Sequence, residues 1–116
     1  MVTYINWWTN NQPGEPIRLT NTEVSSQSMV LKSGETKQTS GVGLPWEDKG
    51  RWLFTTKQGN FELYESWNRI VYKLNGSGKQ DLGAAGTVID RQLVINADGS
   101  ITINTQDWKL NWPVRS

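Results

Sequence analysis

Apolar and polar residues alternate with a period of two along most of this chain, and no stretch carries the 3.6-residue period of an amphipathic helix. Thr3, Ile5 and Trp7 alternate with Tyr4, Asn6 and Trp8, which predicts a first strand. Residues 9–16 (TNNQPGEP) are turn chemistry, and residues 17–24 and 29–32 predict two further strands around a polar break at 25–28. Residues 36–43 are polar and glycine-containing. The following Leu44-Pro45-Trp46-Glu47-Asp48 predicts a loop or an edge, because proline cannot donate to a central ladder. Residues 51–57 (RWLFTTK) and 61–67 (FELYESW) predict paired strands around Gln58-Gly59-Asn60, with Asn68-Arg69 turning into a strand at 70–74.

Residues 75–86 (NGSGKQDLGAAG) predict the most flexible loop. Segments 88–95 and 101–105 flank Asn96-Ala97-Asp98-Gly99-Ser100, a hairpin in which Asp-Gly supplies the positive-φ position. Trp108, Leu110 and Trp112 share one parity in a last strand that Pro113 stops. The expected fold is a single all-β domain over residues 1–116, an antiparallel β-sandwich or small β-barrel of about eight to ten short strands. No fixed-period repeat is present, which argues against a trefoil or propeller lectin.

Seven tryptophans stand in a chain whose apolar content is 35%, so large aromatics must supply much of the buried surface. Parity assigns Trp7, Trp52, Trp67, Trp108 and Trp112 to the core or its ends, and leaves Trp8 and Trp46 as the exposed pair.

Cysteine and histidine are both absent. That removes thiolate chemistry, the commonest general base and the commonest metal ligand. Paired carboxylates could still hydrolyse glycosides, with Glu47-Asp48 and Glu62/Glu65 nearest, but these read as solvated surface groups. Asp98-Gly99-Ser100 resembles a fragment of a calcium loop, yet the hairpin accounts for it. The expectation is a protein that is not an enzyme, with no catalytic residues, no metal and no cofactor. Twelve Lys and Arg against eleven Asp and Glu give a net charge of +1, too weak a field to draw nucleic acid.

Binding is therefore the expected role. Aromatic faces stack on sugars or sit at lipid headgroups, and neighbouring amides and charges fix orientation. Three clusters have that makeup: Trp8 with Asn10 and Asn11; Trp46 with Glu47 and Asp48; and Tyr64 with Trp67, Asn68 and Arg69. An opening strand (IRLTNTEV), a Ser-Gly-Glu turn (LKSGET), a Pro-Trp loop (LPWED), an aromatic strand pair (FELYESWNRIVYK) and a closing hairpin (INADGSITI) follow in order. In that order of elements the chain resembles the small cysteine-poor β-sandwich defence proteins of fungi and bacteria, the fruit-body lectins and the aegerolysins. The resemblance implies non-enzymatic recognition of a glycan or a membrane lipid.

A lectin-like carbohydrate-binding protein is the first expectation. The second is a membrane-lipid-binding protein or a pore-forming, insecticidal toxin component, and the third a protein-binding inhibitor or assembly protein. Edge strands and exposed aromatics make a homodimer plausible. The opening residues show neither a basic nor a long apolar segment, so a cytoplasmic location, or release without a visible signal peptide, is expected.

Overall fold

The computed structural model describes residues 3–85 and 91–104. Among the described residues ten strands form two sheets packed face to face as a β-sandwich, as the alternation predicts. They are β1 (Trp7–Asn10), β2 (Ile17–Asn21), β3 (Met29–Leu31), β4 (Thr36–Gln38), β5 (Trp52–Thr56), β6 (Gly59–Ser66), β7 (Arg69–Leu74), β8 (Gln80–Ala84), β9 (Gln92–Ile95) and β10 (Ile101–Asn104). A 3-10 turn at Ser25–Gln27 fills the polar break. One sheet runs β10-β9-β1-β4 and the other β3-β2-β5-β6-β7-β8. Pairing is antiparallel except between β1 and β9, which run parallel. Among the described residues no helix is long and apolar enough to cross a membrane.

The core follows the period-two pattern where strands are regular. β5 buries Trp52, Phe54 and Thr56 and exposes Leu53 and Thr55. Phe61 and Leu63 of β6 face the same interior, with Phe61 stacked on Phe54 at 5.2 Å. The closing hairpin forms as predicted, with Gly99 at φ 87 and its carbonyl accepting the Thr56 hydroxyl at 2.6 Å. The Asp98 carboxylate accepts both the Ser100 amide and hydroxyl, which hold it below its usual range and close the turn.

Trp8 overturns its expected exposure. It is completely buried, 4.7 Å from Trp52 across the two sheets, and its Nε1–H donates to Thr39 Oγ1 at 3.0 Å. The amides of Asn6 and Trp7 both donate to the Arg91 carbonyl, at 3.0 and 3.1 Å. Two residues then oppose one, the pattern of a β-bulge, and the parity of the chain flips between Ile5 and Trp8. Ile5 and Trp8 therefore both point inward, and Trp7 is the half-buried one.

Two segments without apolar alternation hold strands, and one of them, 75–86, was expected to be a loop. β4 lies within 36–43 and pairs with β1, and β8 lies within 75–86 and pairs with β7. Both are edge strands of polar or small residues apart from Leu82, so backbone pairing rather than apolar alternation defines them. The open edge of β3 is blunted by side chains: Lys37 Nζ donates to the Val30 carbonyl and Asn10 Nδ2 to that of Leu31, each at 3.0 Å. Trp108, Trp112 and Pro113 lie outside the described residues.

Candidate functional site

The β6–β7 hairpin carries a two-residue turn. Ser66 pairs with Arg69, so the tip is Trp67-Asn68 and not the Asn68-Arg69 that the sequence suggests. Both tip residues have positive φ, 51° and 61°, as a type I′ hairpin turn requires. Asn tolerates that conformation, but for a bulky residue such as Trp it is strained by about 1–2 kcal/mol. Trp67 was expected in the core because it shares parity with Phe61 and Leu63. The strand stops at Ser66, alternation does not extend through the turn, and Trp67 is 90% exposed.

Beside this tip runs the Pro-Trp loop. β5 pairs with β6 only as far as Leu63. Beyond it, the segment at residues 45–47 takes over that side of β6. The Glu65 amide donates to the Pro45 carbonyl at 2.8 Å, and the Glu47 amide to the Glu65 carbonyl at 2.9 Å. Leu44 and Pro45 are buried as anchors, and the next residue, Trp46, is 49% exposed, as expected of it. The amides of Lys49 and Gly50 close the turn on the Trp46 carbonyl.

Between loop and tip lies a cleft of about 500 Å³. Trp46 and Trp67 line it with Glu47, Asp48 and Asn68, and Glu65 and Ser66 complete its walls. Five of the predicted site residues thus converge. Five do not. Trp8 is in the core. Asn10 is buried, its side chain donating to the Leu31 carbonyl and accepting the Gln12 amide at 2.9 Å. Asn11 is exposed, but the chain enters at Thr3 beside Glu65 and reaches Asn10 and Asn11 only after roughly 20 Å of extended backbone. Tyr64 is fully buried beneath Arg51, whose guanidinium carbon sits 3.8 Å from the ring centroid, and its hydroxyl has no hydrogen-bond partner among the described residues. Arg69 is exposed and forks onto Asp81 at 2.8 and 3.1 Å, which lowers the Asp81 pKa.

Residues outside the predicted binding set hold the site together. Glu65, expected to be solvated, is buried on the inner parity of β6. It accepts the Thr3 hydroxyl at 2.5 Å and lies in the field of Arg91, whose pKa burial lowers and Glu65 partly restores. Arg51 donates to the carbonyls of Glu47 and Gly50 at 2.6 and 2.8 Å. Lys79, from the β7–β8 loop, meets Glu47 Oε2 at 2.8 Å, and the Ser66 hydroxyl donates to Glu47 Oε1 at 2.6 Å. Glu47 pushes the Lys79 pKa above its usual range, and the Ser66 hydroxyl proton points to the same carboxylate.

Glu47 is held below the usual carboxylate range, first by Lys79 and then by Ser66. Its contribution is therefore present above the ordinary carboxylate pKa and is lost as pH falls through the lowered value. Lys79 contributes below the ordinary lysine pKa, and that contribution is lost as pH rises through its raised value. The clamp thus holds the loop throughout the neutral range. Titrating wild type into acid should move the Trp46 indole N–H resonance below the ordinary carboxylate range, and Glu47→Gln should abolish that step. An identical step in both proteins contradicts the clamp.

Two polar side chains of the cleft are left over. Asp48 and Asn68 are exposed, and neither side chain makes a hydrogen bond or ion pair among the described residues. Indole faces with an uncommitted carboxylate and amide make a surface that can stack on a ring and fix its hydroxyls. No protein-family model, curated protein or solved structure matches this chain.

Proposed function

We propose that this is a non-enzymatic carbohydrate-binding protein and that the cleft between Trp46 and Trp67 is its saccharide site. The observation carrying the reading is Trp67. A fully presented indole occupies a strained position where Asn or Gly would be more stable, and it buries nothing in return. Strain held at an exposed position points to a role outside the fold. Trp46, half exposed on a loop pinned by Glu47, Lys79 and Arg51, supplies the opposing wall on a rigid base. Asp48 and Asn68 provide the hydrogen bonds that orient a sugar.

A glycan array probed with wild type and Trp46→Ala tests this. The expected result is binding to a restricted set of glycans, reduced by roughly tenfold or more in the variant, the scale of an aromatic anchor. An array at background for wild type removes the reading. Co-sedimentation with plain lipid vesicles in place of glycan binding would favour headgroup insertion by Trp67, because an indole at a hairpin tip also suits a membrane interface.

A further inference from the structure

Once the committed groups are set aside, the charge at the cleft is one-sided. Four cations stand near it, and three are occupied: Arg69 on Asp81, Lys79 on Glu47, and Arg51 on Glu62, two backbone carbonyls and the Tyr64 ring. Lys49 is exposed in the adjacent turn, and no cationic side chain lines the cleft among the described residues. Asp48 lines it, with no partner among the described residues, and Glu47 adds a second carboxylate already neutralised by Lys79.

We infer, resting on the saccharide reading above, that the site selects sugars carrying a protonated amine, such as glucosamine units with a free 2-amino group, and discriminates against acidic sugars. An ammonium on the ring would donate to Asp48, and the faces of Trp46 and Trp67 favour a cation beside them. A uronic or sulfated sugar would bring a second negative charge to Asp48 with no cation among the described lining residues to receive it, only Lys49 in the adjacent turn, and like charges are a source of discrimination. The Asn68 amide is neutral and serves either ligand.

The test uses three oligosaccharides of equal length: glucosamine, N-acetylglucosamine and galacturonate. Each is titrated at about pH 5.5, where the amine is charged and an ordinary aspartate is ionised. Binding is followed by calorimetry on wild type and Asp48→Asn. Wild type should bind the glucosamine oligomer roughly fivefold more tightly than the N-acetyl form, the scale of one exposed ion pair. The galacturonate oligomer should bind most weakly. In Asp48→Asn the glucosamine and N-acetyl affinities should converge. Added salt should narrow the wild-type preference. Equal or tighter binding of the N-acetyl or galacturonate oligomer, or an amine preference surviving in Asp48→Asn, overturns the charge selection and leaves the saccharide site standing. Failure of all three to bind overturns the charge selection, and the saccharide site falls with it only if the glycan array is also at background.

Discussion

Trp8→Ala is expected to lower folding stability by about 3–5 kcal/mol, the usual cost of truncating a buried tryptophan. Against a total of about 5–15 kcal/mol for a domain of this size, that removes a large share of the stability. Three losses coincide. The indole bridges the two sheets through Trp52, so its removal opens a cavity at the middle of the sandwich. Its Nε1–H partner, Thr39 Oγ1, loses a bond while still donating to the Ile5 carbonyl at 2.8 Å. The bulge at Asn6 and Trp7 loses the inward side chain that makes its parity flip worthwhile. Trp8→Phe should keep most of the packing and cost distinctly less. Denaturant unfolding measures both, and an unchanged midpoint for Trp8→Ala would mean that Trp8 is not where the core sits.

Trp67→Asn should have the opposite sign. The side chain is 90% exposed, so its removal uncovers no cavity. Asn adopts the left-handed conformation with little strain and is the preferred residue at the first position of a type I′ turn. Stability should rise by about 1 kcal/mol. Saccharide affinity should fall by roughly 30-fold, as truncation of a central aromatic anchor costs about 2 kcal/mol. A variant that gains stability and loses ligand separates function from fold within one residue. Unchanged affinity would place the ligand elsewhere, and a loss of stability would show that the indole packs against something in the folded state.

The sandwich was legible because its regular strands alternate cleanly. β5 and β6 meet about Lys57-Gln58, one residue ahead of the Gln58-Gly59-Asn60 turn expected, and the closing hairpin meets about Asp98-Gly99 as expected. β4 and β8 were illegible for a physical reason: they sit at sheet edges, bury little, and owe their conformation to backbone partners distant in sequence. The parallel pairing of β1 with β9 joins Trp8 to Leu93, a contact that no local pattern reports.

Parity failed at two tryptophans, in opposite directions. A bulge turned Trp8 inward, and a turn displaced by one residue moved Trp67 from a strand to an exposed tip. Trp46, Glu47 and Asp48 were readable from the Pro-Trp loop alone. Their meeting with Trp67 and Asn68 depends on the backbone bonds from Pro45 and Glu47 to Glu65, and on Lys79 from a loop with no distinguishing pattern. The dipeptide Trp67-Asn68, flanked on both sides by alternating residues, was the one local cue for the tip, because Asn accepts positive φ.

Nitrogen-15 spectra of the indole N–H groups, recorded while a bound oligosaccharide from the array is titrated in, test the saccharide cleft most directly. The account predicts that the resonances of Trp46 and Trp67 shift together and saturate at one affinity, while those of Trp8 and Trp52, sealed in the core and bonded to Thr39 and Gly43, stay in place. Saturable binding that leaves both Trp46 and Trp67 unmoved would contradict it.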